Sequence, residues 1–308
     1  EETRGSMEQE SHRFAPSIHL RGRAAPERVN RGIVAMPESK LVFIDLDGTL
    51  IAPDQKVPSS AVEAMRAAKT RGHILIMCTG RSMPEIYSFL WDYGFSGAVT
   101  GAGSYVTLDQ EVLIDRRLGA ETIHEVSGVW QSLNGLWVWQ SPEEIAPSPG
   151  FMDFFVEKAG LAPNDWAVYA ETISPYLKEG VPSSSAKCTA YISKGITTPE
   201  RLRELIPEEL SITEGSVGAG DTLVYEVAPR DISKGTGVKL VADRLGYDIE
   251  DTIAIGDSMN DVEALLAAGR GIAMGGSPAP VVQVADHVTD CLEDDGLAKA
   301  FAFLGLID

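Results

Sequence analysis

The chain is poor in cysteine and in positive charge, and it contains no long apolar run. Its three cysteines, Cys78, Cys188 and Cys291, are odd in number and far apart. They support neither a disulfide framework nor a CxxC metal pattern. No apolar stretch nears the roughly 20 residues of a membrane-spanning helix. Lys and Arg number 26 against 45 Asp and Glu, for a net charge of −19. A surface of that sign repels nucleic acid and anionic bilayers, so neither is expected as a partner. Histidine is scarce as well, and His73, His124 and His287 lack the i, i+4 spacing of zinc ligands. The expected location is cytoplasmic.

What is present is an ordinary globular composition, with 44% apolar and 23% charged residues over 308 positions. That length accommodates two domains. Residues 1–39 stand apart, being polar, Arg-rich and aperiodic, and read as a flexible tail. The opening EETRGS reads as vector-derived, with Met7 and Met36 as alternative natural starts. Its arginines (Arg13, Arg21, Arg23, Arg28, Arg31) precede no apolar h-region, so a signal peptide is not expected.

From Leu41 strands and helices alternate. LVFI is a buried strand, and SSAVEAMRAAKTRG a helix with capping-box spacing at Ser60 and Glu63 and a stop at Gly72. HILIMC predicts a second strand, MPEIYSFLWDYG a helix with Pro84 in its first turn, and GAVT a third strand. The same rhythm returns near the C-terminus, in GTGVKLVADRLG, TIAIGD, DVEALLAAG and GIAM, followed by APVVQVA, DHVTD and GLAKAFAFLG. Such alternation implies right-handed crossovers and a doubly wound parallel sheet. Residues 119–228 have another texture, with alternating runs such as GLWVWQ and TLVYEV and four of the five tryptophans. The expected organisation is thus an α/β, Rossmann-like core over 40–118 plus 229–308, carrying an inserted α+β domain at 119–228. Trp130, Trp137, Trp139 and Trp166 are expected to fill its interior.

The stretch FIDLDGTL, residues 43–50, carries the first chemical signal. Carboxylates at the end of a strand buried on both faces are costly to desolvate unless a cation or a reaction uses them. Open parallel sheets bind ligands beyond the carboxyl ends of their strands. Asp45 and Asp47 follow the first strand, Thr79 and Gly80 the second, and Asp257, Asn260 and Asp261 the strand TIAIG, with Lys234 opening the preceding helix. Two hard carboxylate ligands suit Mg²⁺, and a lysine, a hydroxyl and glycine-rich backbone suit a phosphate group.

DLDGT, TGR, SKG and GDSMND, in that order, resemble the four motifs of the haloacid dehalogenase superfamily of phosphohydrolases. The insertion between the second and third motifs resembles the family's type-two cap, and GIAMGG with the C-terminal ADHVTD is similar to the Cof-type subgroup. The resemblance implies a Mg²⁺-dependent phosphatase acting on a small phosphorylated metabolite through an aspartyl-phosphate. It implies Asp45 as nucleophile and Asp47 as general acid and base. Mg²⁺ would be held by Asp45, Asp257 and the main-chain carbonyl of Asp47. Thr79, Gly80, Lys234 and Asn260 would bind phosphate, with Asp261 in support. The family's usual Asn-Gly after the third strand is Ala102-Gly103 here, which removes any substrate contact that the asparagine would make.

Plainer readings compete. Asp-Gly is a common turn pair, Thr79-Gly80 a common loop, Ser258 and Asp261 have capping-box spacing, and an isolated lysine is usually solvated. Arg81 reads as a surface or structural pair, and Cys78 as a small buried hydrophobe. The ordered set of four motifs outweighs these readings for the acids and Lys234. A phosphomutase or phosphotransferase on the same scaffold and a non-catalytic phosphate sensor stay open as alternatives. So do the identity of the phosphometabolite and the oligomeric state.

Overall fold

In a computed structural model the described residues are 39–158, 163–215 and 221–308, with the side chains of 158 and 163–166 excepted. The expected tail, Ser39 apart, and the side chain of Trp166 lie outside the described residues.

The strand Leu41–Ile44 is wholly buried in the middle of an eight-stranded sheet. Its side chains alternate, as a pleated strand requires. Val42 and Ile44 enter a cluster with Met65 of the helix Ser59–Thr70 and Phe301 of the helix Gly296–Phe303. Leu41 and Phe43 enter the cluster on the opposite face, with Val238 and Val241 of the helix Lys234–Leu245. Burial on both faces accounts for the unbroken apolar run.

Across this sheet the order is His287–Val288, Arg270–Ala273, Thr252–Gly256, Leu41–Ile44, Ile74–Cys78, Gly97–Thr100, Tyr105–Leu108 and Glu111–Asp115. The first six strands are parallel, which is the doubly wound arrangement. The last two form an antiparallel hairpin that the strand–helix rhythm did not reveal. It turns at Asp109 and Gln110, both at positive φ.

Two local expectations differ. MPEIYSFLWDYG is not one helix but two 3₁₀ segments, Met83–Glu85 and Ser88–Tyr93, separated by extended Ile86 and Tyr87. The reason lies in Glu85, whose buried carboxylate accepts hydrogen bonds from Ser82, Gln140 and Tyr169. Gln140 and Tyr169 lie far along the chain, so a tertiary contact and not the local pattern fixes this turn. The Ser60–Glu63 capping box is also absent. Ser60 instead hydrogen-bonds Asp295, and the helix begins after Pro58. Its end is as expected, at Thr70, with Gly72 at φ +88°.

A second sheet has the order Leu210–Glu214, Thr222–Pro229, Lys187–Ser193, Leu136–Gln140 and Ile145–Pro147, antiparallel throughout. Cys188, Ala190 and Ile192 face one way, onto Ile123, Val126 and Trp130 of the helix Ala120–Ser132 and Leu202 of the helix Pro199–Leu205. Trp139 is buried in the same cluster, and Trp137 packs against it. The other face carries Val138, Tyr191 and Val224 and is joined by Phe151 of the helix Phe151–Lys158.

Candidate active site

Strand register brings the distant acids together. Ile44 pairs with Ile255 on one side and Met77 on the other. The next residue, Asp45, donates its N–H to the Ile255 carbonyl at 3.0 Å. Asp45, Asp257 and Thr79 therefore emerge together at the carboxyl ends of three adjacent strands. Oxygens of Asp45, Asp257 and Asp261 all lie within 4.8 Å of one another.

Lys234 opens its helix directly after the cap residue Ser233, whose hydroxyl accepts the Thr236 N–H. Its Nζ, in a residue 1% exposed, donates to Asp45 Oδ1 at 2.7 Å, Asp261 Oδ1 at 2.6 Å and Asn260 Oδ1 at 2.9 Å. All three ammonium donors are thus engaged. Asp261 uses its second oxygen to accept the N–H groups of Asp257 and Ser258, completing the expected capping box. It fixes Lys234 on one side and the Asp257 loop on the other. The Asn260 amide has its oxygen on Lys234, which leaves its nitrogen near Gly80, 3.1 Å from where a Cβ would stand.

Gly48 is needed twice over: its φ is +83°, and a Cβ would meet Asp257 Oδ2 at 2.5 Å. Thr49 donates to Asp257 Oδ1 at 3.2 Å. The hydroxyl oxygen of buried Thr79 accepts the Arg81 N–H at 3.1 Å. Every residue predicted for the site is gathered here. Ala102 lies outside the cavity lining, at φ +55°.

The electrostatics are those of acids in excess. Burial pushes the Asp45 carboxyl well up, and the charges of Asp261 and Asp257 add to this against the opposing pull of Lys234. Asp257 is pushed up to about 6, by burial first and then by Asp261. Burial pulls the Lys234 ammonium down, but the charges of Asp261 and Asp45 outweigh burial, raise it above the ordinary lysine value and hold it charged. One lysine does not balance this many carboxylates, and the cluster fits a hard divalent cation. Asp261 has both oxygens committed, so Asp45 and Asp257 have the free capacity to ligate.

Arg81 is the residue that sequence reasoning set aside. Its guanidinium grips Asp47 with two bonds, Nε to Oδ2 at 2.8 Å and a terminal nitrogen to Oδ1 at 2.6 Å. Burial raises the Asp47 carboxyl, but the charge and hydrogen bonds of Arg81 prevail and hold it below the usual carboxylate range. The TGR triplet held the clue, since the arginine two positions after Thr79 faces Asp47 across the same strand ends.

A cavity of about 440 Å³ extends from Asp45, Asp47 and Asp257 to the second sheet, where it is lined by Gln140, Lys187 and Tyr191, among others. Lys187, 2% exposed, donates to the Gly80 carbonyl and to Glu226 Oε1, both at 2.8 Å. None of these residues lies in a recognisable motif. The signal available was the alternation of KCTAYIS, which sets Lys187, Thr189 and Tyr191 on one face.

Comparison with known proteins places the site in context. The family profile of haloacid dehalogenase-like hydrolases matches residues 42–301. YkrA of Bacillus subtilis is 27% identical over 277 residues, 88% of this chain and 99% of that protein. The 5-amino-6-(5-phospho-D-ribitylamino)uracil phosphatase YcsE of Bacillus subtilis is 28% identical, covering 85% and 94%. The solved structure of BT4131, a subclass IIB sugar phosphatase, superposes with a TM-score of 0.71 at 23% identity, over 87% of this chain and all of that one.

Proposed function

The chain belongs to the haloacid dehalogenase-like hydrolases and is a phosphatase of that family, and on that premise we propose that it hydrolyses small phosphate monoesters with Mg²⁺ through an aspartyl-phosphate on Asp45. The observation that supports this most directly is the meeting of Asp45 and Asp257 in the lining of one cavity, with the Lys234 ammonium bonded to Asp45.

In this reading Lys234 holds Asp45 Oδ1 and thereby aims the other carboxylate oxygen at phosphorus. That oxygen forms the new P–O bond as the ester P–O bond breaks, and the leaving alkoxide takes a proton from Asp47. Asp47, now ionised, removes a proton from water. The water oxygen attacks phosphorus, releases the Asp45 carboxylate and yields inorganic phosphate. Splitting one displacement into two is the advantage of a covalent route. Thr79, Gly80 and the Asn260 amide would donate to the phosphoryl oxygens, and Lys234 would offset the charge that grows there. Mg²⁺ on Asp45, Asp257 and the Asp47 carbonyl would neutralise substrate charge and keep the clustered acids ionised. Asp47 can act as an acid only when Arg81 frees one of its oxygens, so substrate entry must loosen that fork. Residues 119–228 would serve as the cap, covering the reacting atoms.

The test is release of inorganic phosphate from p-nitrophenyl phosphate with and without Mg²⁺, by wild type and by Asp45→Asn. Mg²⁺-dependent release that falls at least about 10⁴-fold in the variant is expected. Phosphate moved to another hydroxyl instead of released, or binding without turnover, would replace this reading by the transferase or the sensor.

A further inference from the structure

The cavity-facing side of the second sheet is graded. Period-two alternation and the antiparallel register set its rows. Nearest the phosphate loop, Gln140 pairs with Lys187. One step on, Val138, Thr189 and Glu226 stand side by side. Next come Leu136, Tyr191 and Val224. The face thus passes from charged to apolar with distance from Asp45. Beyond it the helix Phe151–Lys158 adds a wall of flat rings, with Phe151 stacked on Phe155 at 5.6 Å between centroids and edge-on to Tyr191 at 5.5 Å.

Two polar atoms in this gradient have no protein partner among the described residues. Glu226 gives Oε1 to Lys187, while its Oε2 accepts no bond and stands 3.5 Å from where a Cβ on Gly80 would lie. Tyr191 is 7% exposed and lines the cavity, yet its hydroxyl makes no hydrogen bond. Burial, then the charges of Glu85 and Glu226, push that hydroxyl's pKa up, so it keeps its proton and can donate. The hydroxyl is not sealed off from the cavity, so a ligand group can reach it. It is a natural place for a ligand group.

We propose that the cavity selects a phosphate ester whose alcohol carries a hydroxyl or amine donor close to the ester and a flat ring beyond it, with Glu226 and Tyr191 as the specificity-determining residues. This rests on the phosphatase reading above and names the substrate class for the same site. Glu226 Oε2 accepts the donor, Tyr191 satisfies a polar atom on the ring, and Phe151 and Phe155 cover its faces. A sugar or polyol phosphate, which has no flat ring, would leave the aromatic wall in water, and a bare aryl group would leave Glu226 unpaired.

The experiment separates the two features with four esters: pyridoxine 5′-phosphate (ring and donors), benzyl phosphate (ring alone), and glycerol 3-phosphate and glucose 6-phosphate (donors alone). The expected kcat/KM is at least about tenfold higher for pyridoxine 5′-phosphate than for any of the other three. Tyr191→Phe, which keeps the ring, should shrink its lead over benzyl phosphate by about three- to tenfold. Equal or faster hydrolysis of the esters without a flat ring or of benzyl phosphate, or an unchanged lead in Tyr191→Phe, overturns the proposal while leaving a working phosphatase. No phosphate release from any ester, p-nitrophenyl phosphate included, overturns the phosphatase reading itself.

Discussion

Two lysines are buried almost to the same degree, one bonded to Asp45 and one in the cavity lining, and they do different work. Lys234 is 1% exposed and holds Asp45, Asn260 and Asp261 together. Lys187 is 2% exposed and ties Glu226 of the second sheet to the Gly80 carbonyl of the phosphate loop. The first touches the group proposed to react, whereas the second touches only the frame around it. A buried cation therefore marks chemistry only when its acceptors face the reacting atoms. Burial alone would rank the two residues equally.

Replacing each lysine by methionine should break that equality. Lys234→Met is expected to lower turnover by roughly 10²–10³-fold, because a charge aimed at the developing phosphoryl anion is lost. It should also destabilise the metal-free fold by about 3–5 kcal/mol, since Asp45 and Asp261 lose their counter-charge. Lys187→Met should leave kcat within about tenfold and act mainly on stability, by about 1–3 kcal/mol, as half-buried Glu226 loses its partner. Steady-state rates and denaturant melts of the two variants check both statements. Similar losses of kcat would erase the distinction.

Asp257 sharpens the contrast through metal and pH. Asp257→Ala should raise the Mg²⁺ concentration needed for half-maximal activity by at least about tenfold, as expected for a lost first ligand. An unchanged metal titration would remove it from the ligand set. Without metal, the carboxyl of Asp257 lies at about 6 in the fold against 3.8 ordinarily, so the folded state holds its proton more tightly than the unfolded one. The sign follows: its unfavourable contribution is full above the folded value and is relieved as pH falls toward the unfolded one. Metal-free wild type should thus gain stability relative to Asp257→Asn between about pH 7 and about pH 5, and stabilisation by Mg²⁺ should shrink over the same interval. Melting curves of both proteins, with and without Mg²⁺, decide it.

The two sides of the cavity also differed in how far they could be read from the chain. The phosphoryl side was legible, because each of its groups sits at the end of a parallel strand or the start of a helix. The local apolar runs LVFI, ILIMC and TIAIG mark those ends. Once the strands are adjacent, register alone brings Asp45 beside Asp257 and Thr79. Arg81 was missed because its partner, Asp47, is 34 positions away, and the one hint, the place of TGR at a strand end beside that of Asp47, shows only once the strands are adjacent. The second sheet was legible only as texture. Which face of KCTAYIS meets the cavity depends on where the helix Ala120–Ser132 packs, a long-range fact absent from any short window. The 3₁₀ segments at Met83–Tyr93 were hidden for the same reason, since Glu85 takes its inward position from Gln140 and Tyr169. Tertiary partners overrode local helical pattern there.

The most direct test of the covalent role of Asp45 is to quench a single turnover in acid and weigh the peptide that contains it. Acyl phosphates survive acid better than base, so the expected result is one added phosphoryl group on Asp45 at early times, decaying as inorganic phosphate appears. Turnover at full rate with that peptide never phosphorylated, or with the phosphoryl group on another residue, would contradict the proposed chemistry.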